Sequence, residues 1–182
     1  MGEISARTVA NGTDEYGVEA LTETLERLQV LIIEDGDEYL RNLERFVTGP
    51  VYFQAHNGEE AHEILNSKEV NIDIVYLDMR FDRIPPEELL GDHAKVTEEL
   101  NGDPARAWQY LKNNQGLYIL AEIYEKYGNR LKVVIAYDFS RELKRFNNLK
   151  RLYPELKWVS DRVTFVEIKN IFEEFIFESV EE

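Results

Sequence analysis

The sequence predicts an α/β fold: a doubly wound, five-stranded parallel sheet with helices on both faces. Two observations carry this. Short, β-branched apolar runs alternate along the chain with segments of helical periodicity. The strongest of these runs, Leu28–Ile33 and Ile72–Leu77, are apolar almost throughout, as strands buried on both faces of a parallel sheet must be.

The elements follow in order. Residues 1–27 read as an N-terminal extension, with glycines among polar residues and then a short helical pattern from Val18 to Leu28. Strand one is Leu28–Ile33 and stops at Glu34-Asp35-Gly36. Leu40, Leu43, Phe46 and Val47 recur at helical spacing, and Gly49-Pro50 ends that helix. Strand two is Val51–Ala55. Asn57-Gly58 then turns into a helix bearing Ala61, Ile64 and Leu65 on one face. Strand three, Ile72–Leu77, ends at Asp78.

Phe81 to Gly102 has no strand character. Ile84, Leu89, Leu90, Val96 and Leu100 are expected to share one apolar helix face there. Asp103-Pro104 marks a helix start, with the acid as N-cap and proline in the first turn. That helix is expected to run to Gly128, interrupted by Gly116. Strand four is Leu131–Ala136, followed by a basic amphipathic helix from Arg141 to Leu152. Strand five is expected at Val163–Ile168 and a closing helix at Ile171–Val180. Residues 28–182 therefore read as one domain, with an insertion at about 82–115.

Composition narrows the function classes. The chain has 182 residues, 43% hydrophobic and 31% charged, as a soluble globular domain does. It contains no cysteine, which excludes disulfides, thiolate metal sites and cysteine catalysis. Its formal net charge of −15 repels phosphate backbones, so no nucleic-acid partner is expected. No apolar run is long enough for a membrane span, and the polar start is not a secretory signal. A cytoplasmic protein is the expectation.

In an open parallel sheet, ligands bind outside the carboxyl ends of the strands. Glu34 and Asp35 follow strand one there, and Asp78 follows strand three. Three acids at one edge repel one another unless a cation joins them, and Mg²⁺ suits oxygen ligands with waters. His56, His62 and His93 stand at no ligand spacing and read as surface residues. Trp108 and Trp158 read as packing residues.

The order Val-Leu-Ile-Ile-Glu34-Asp35, then Asn57-Gly58-Glu59-Glu60-Ala61, then Asp73-Ile-Val-Tyr-Leu-Asp78-Met-Arg resembles the receiver domain of two-component response regulators. The resemblance spans roughly residues 28–178 and is strongest over 28–80. It implies that Asp78 is the phosphoacceptor, that Asp35 and Glu34 bind Mg²⁺, and that the backbone carbonyl of Arg80 is a further metal contact. Gly116 matches the family's glycine after strand three, displaced by the insertion. Where the family has Thr or Ser after strand four, this chain has Tyr137, with Ser140 as a substitute a little further on. Ser140 equally suits an N-cap for the next helix. Lys169 matches the lysine that pairs with the phosphoryl group, but Asn170 replaces the proline after it. Val166 stands at the aromatic switch position, beside Phe165.

The function so implied is a stand-alone response regulator in a phosphorelay. It takes a phosphoryl group from a histidine kinase or phosphotransfer protein and signals to a downstream protein partner. At most it catalyses its own phosphorylation and dephosphorylation. The basic cluster Arg141, Lys144, Arg145, Lys150 and Arg151 is a candidate partner surface. The departures at Tyr137, Asp138 and Asn170 motivate a second reading, a phosphorylation-independent pseudo-receiver acting as an interaction module. A Mg²⁺-dependent phosphatase is a weaker third reading, because no second acid lies two residues after Asp78.

Overall fold

The structure, a computed structural model, describes residues 25–160 and 162–180. The predicted helix before strand one lies mostly outside the described residues. Its end is visible in Leu25 and Leu28, which are both buried.

Five parallel strands form one sheet in the order β2-β1-β3-β4-β5. They are β1 (Gln29–Ile33), β2 (Val51–Ala55), β3 (Ile74–Asp78), β4 (Lys132–Ala136) and β5 (Lys157–Val159). The helices are α1 (Glu38–Phe46), α2 (Gly58–Asn66), α3 (His93–Glu99), α4 (Pro104–Asn113), α5 (Gln115–Tyr127), α6 (Leu143–Leu152) and α7 (Phe165–Val180). Side chains alternate across each strand, so the sheet builds two cores. Leu31, Ile33, Val75, Leu77, Val133 and Ile135 face one layer, packed against α2 to α6. Val30, Ile32, Ile74, Tyr76 and Val134 face the other, packed against Leu43 of α1 and Phe172 and Phe175 of α7. The doubly wound parallel sheet predicted from the apolar runs is the one observed. No helix among the described residues is long and apolar enough to cross a membrane.

Strand five is displaced from its predicted place. β5 is Lys157–Val159, registered against Val134–Ala136 of β4. The segment expected as a strand, Val163–Ile168, instead starts α7. Thr164 and Glu167 form a capping box that begins this helix. The Thr164 hydroxyl accepts the Glu167 N–H at 3.2 Å, and the Glu167 carboxylate accepts the Thr164 N–H at 2.7 Å. Val166, expected at the aromatic switch position, is 68% exposed on α7, and Phe165 stacks on Phe46 with ring centroids 4.5 Å apart.

The insertion folds as a packed arm. It comprises a 3₁₀ turn at Pro86–Glu88, α3 and α4. Ile84, Leu89 and Val96 are buried in the first core, with Leu90 and Leu100 packed against it. These residues do not share one helix: Ile84, Leu89 and Leu90 lie outside α3. The single helix expected over 103–128 is two, broken at Asn114, with Asp103 capping α4 through the N–H groups of Ala105 and Arg106. Ser140 is not an N-cap. It sits exposed in a 3₁₀ turn, its own N–H held by Asp138 at 2.9 Å, and α6 starts only at Leu143.

Candidate functional site

β1 and β3 are neighbours, with Ile33 opposite Leu77, so the residues that follow them emerge at the same edge. A cleft of about 400 Å³ opens there. Among its walls are Glu34, Asp35, Asp78, Arg80, Arg83 and Tyr137. A larger groove of about 710 Å³, lined by Leu28, Asp73 and Lys132, lies at the other end of the strands, away from these acids.

Glu34 is only 2% exposed. Its carboxylate accepts the N–H groups of Tyr39 at 3.0 Å and Leu40 at 2.9 Å. It thus satisfies donors in the first turn of α1, where the N-cap residue Asp37 makes no side-chain cap. Burial raises its pKa, and these two hydrogen bonds oppose the rise.

Asp35 accepts the backbone N–H of Arg83 at 2.5 Å, which ties the loop after β3 to the end of β1. The Arg83 guanidinium forms a two-armed ion pair with Glu38 at the start of α1. That hydrogen bonding lowers the Glu38 carboxyl to about 2. The pairing of Arg83 with Glu38 is not legible in the sequence. No motif marks them, because their meeting depends on how a loop 45 residues downstream folds back. Asp82 also lines the cleft, and its carbonyl accepts the Lys112 ammonium at 2.7 Å.

Asp78 is half-buried at the end of β3, beside Ala136 of β4. One of its oxygens lies 3.4 Å from the Arg80 N–H. Burial pushes its carboxyl up to about 7, and the nearby charges of Asp35 and Glu34 add to the rise. Gly116 passes directly behind it. A Cβ there would lie 2.2 Å from the Asp78 carbonyl oxygen, so only glycine fits this crossing. The Gly116 N–H donates to the Met79 carbonyl at 3.0 Å.

Tyr137 stands at the end of β4. Its hydroxyl donates to Glu142 at 2.7 Å, and Glu142 also pairs with Arg145 at 2.9 Å. The Arg80 guanidinium lies 5.9 Å from the Tyr137 ring centroid.

Two residues expected at the phosphoryl group are not among those lining the cleft: Ser140 and Lys169. Lys169 is on α7 rather than after a strand, and its ammonium is 3.7 Å from Glu173. The residue directly after β5 is Ser160.

Among the described residues, no three His, Asp or Glu side chains form a ready-made metal cage. The donor chemistry nevertheless suits a hard cation. Asp35 and Asp78 each retain carboxylate oxygen free of the hydrogen bonds described, and Mg²⁺ is commonly held by one or two carboxylates with waters filling the rest. The raised proton affinity of Asp78 comes first from its burial, to which the charges of Asp35 and Glu34 add.

No protein-family model matches the sequence, and no curated protein matches it. Solved structures do. A response regulator receiver domain protein from Clostridium thermocellum superposes with a TM-score of 0.56 at 16% identity, over 84% of this chain and 97% of that one. The receiver domain of a Francisella response regulator gives 0.53 at 13%, over 84% and 99%. A Thermotoga maritima response regulator, solved in complex with Mg²⁺ and BeF, gives 0.52 at 19%, over 82% and 99%. The chain therefore has the fold of a response-regulator receiver domain, with its acidic cleft at the carboxyl edge of the sheet.

Proposed function

We propose that this chain is a receiver-like response regulator that accepts a phosphoryl group on Asp78 in a Mg²⁺-dependent phosphorelay. The observation that supports it most is the position of Asp78. It is half-buried at the carboxyl end of a core strand, in one cleft with Asp35 and Glu34.

Asp35, Asp78 and the Arg80 backbone carbonyl are the groups to hold Mg²⁺, with Glu34 contributing through water. The bound ion supplies charge neutralisation on the transferring oxygens. An ionised Asp78 oxygen attacks phosphorus. The new O–P bond forms as the bond from phosphorus to the donor nitrogen breaks, and the leaving imidazole keeps the electron pair. A histidine kinase or phosphotransfer protein is the donor class. A cytoplasmic location suits such a donor. A downstream protein is the target, and the exposed Arg141, Lys144, Lys150 and Arg151 around α6 are its candidate contacts.

The second reading is a pseudo-receiver, an interaction module without phosphorylation. Its support is that neither Ser140 nor Lys169 lines the cleft. One experiment separates the two readings. Mg²⁺ with beryllium fluoride is expected to shift amide resonances around Asp78, and acetyl phosphate is expected to add the mass of one phosphoryl group. A silent wild-type protein, or an equal response from Asp78→Asn, leaves only the pseudo-receiver.

A further inference from the structure

We propose that the guanidinium of Arg80 is the side-chain cation that binds the phosphoryl group on Asp78. This rests on the phosphoacceptor reading and deepens it. A phosphoryl group brings a charge of about −1.5 to −2 into a cleft that already holds Asp35 and Glu34. A divalent ion offsets part of that charge, and a second cation has to come from the protein.

The choice among the described residues is short. Only Arg80 and Arg83 are basic side chains lining the cleft. Lys169 points to Glu173 on α7, and Lys157 pairs with Glu174 at 2.7 Å. Arg83 is committed through both arms to Glu38, and its backbone N–H is held by Asp35. Arg80 has no ion pair with a described residue. Its guanidinium rests near the Tyr137 ring, a weak contact at an exposed site that is readily given up.

Position favours Arg80 as well. It lies two residues beyond Asp78, and its N–H faces an Asp78 oxygen. That fixes where the side chain starts relative to the phosphoacceptor. An arginine fork matches two phosphoryl oxygens at once, which a lysine cannot do. Tyr137, standing where a hydroxyl of Ser or Thr would otherwise reach the phosphoryl group, then serves as the resting platform for the guanidinium.

The test is a titration with beryllium fluoride at fixed Mg²⁺, followed by amide shifts, on wild type, Arg80→Ala, Arg80→Lys and Arg83→Ala. Losing a two-armed charge-assisted contact is expected to raise the half-saturating concentration about tenfold or more in Arg80→Ala. Arg80→Lys is expected to recover part of the loss, and Arg83→Ala, which leaves Glu38 unpaired in the cleft, to lose less than Arg80→Ala. Titration with Mg²⁺ alone is expected to show Arg80→Ala binding the ion no more weakly than wild type, because the backbone carbonyl stays and only a positive side chain is lost, a result that a merely structural role for Arg80 does not give. Wild-type behaviour of Arg80→Ala, or a loss confined to Arg83→Ala, overturns the assignment and leaves Asp78 as phosphoacceptor. A wild type that does not respond at all overturns both.

Discussion

Gly116 packs against the backbone of Asp78, and the contact sets how tightly α5 can approach the end of β3. A methyl group at Gly116 would meet the Asp78 carbonyl oxygen at 2.2 Å and the Met79 Cα at 2.9 Å. Both are backbone atoms and cannot swing aside. Overpacking of this kind costs about 1–3 kcal/mol or more. Gly116→Ala is therefore expected to lower the melting temperature by roughly 2–4 °C per kcal/mol in a chain of this size. It is also expected to disturb the amide signals of residues 78–80, and a melting curve that matches wild type would refute the close crossing. Glu34 shows how one residue can hold a place for two reasons. Its acid charge contributes to the cleft, while its two oxygens close the first turn of α1. The sequence displays the acid and says nothing of the second duty.

At the scale of elements, β5 and α7 carry the main lesson. Val163–Ile168 is apolar and β-branched enough to read as a strand. The decisive signal was present in the letters as Thr164-Phe-Val-Glu167, a capping box that starts a helix. The true strand, Lys157–Val159, has only three residues, too short for periodicity to reveal. It is a strand because its backbone pairs with β4. Thr164→Ala removes the hydroxyl that accepts the Glu167 N–H and is expected to cost about 1 kcal/mol. Chemical denaturation measures this directly, and an unchanged midpoint would place the start of α7 elsewhere. The displacement of β5 also takes Lys169 away from the cleft, since a residue assigned to a strand end lies instead on a helix surface.

For the whole molecule, the formal charge of −15 and the gathering of acids at one sheet edge act together. Asp78 has an ordinary carboxyl value of 3.8 when unfolded and about 7 when folded, chiefly because it is buried. Between those values the folded protein binds a proton that the unfolded chain has released. Stability therefore falls as pH rises through this window and levels off above it. Asp78→Asn removes the ionisable group. In buffer free of divalent ions, the variant is expected to melt several degrees above wild type near pH 8, with the gap closing as pH falls toward about 4. A gap that stays constant with pH would show that Asp78 is not the group responsible.

The apolar runs ending in Glu34-Asp35 and Asp78 were enough, as sequence, to imply a parallel sheet and the edge at which its chemistry sits. The physical reason is that strands buried on both faces need continuous hydrophobicity, and that ionised side chains must leave such a core at a strand end. Tertiary structure alone decided the rest of the cleft. Arg83 reaches Glu38 only because the loop after β3 folds back, Tyr137 reaches Glu142 only across the turn before α6, and Lys169 is carried off by α7. These placements depend on where distant backbone segments pack, which local periodicity does not encode.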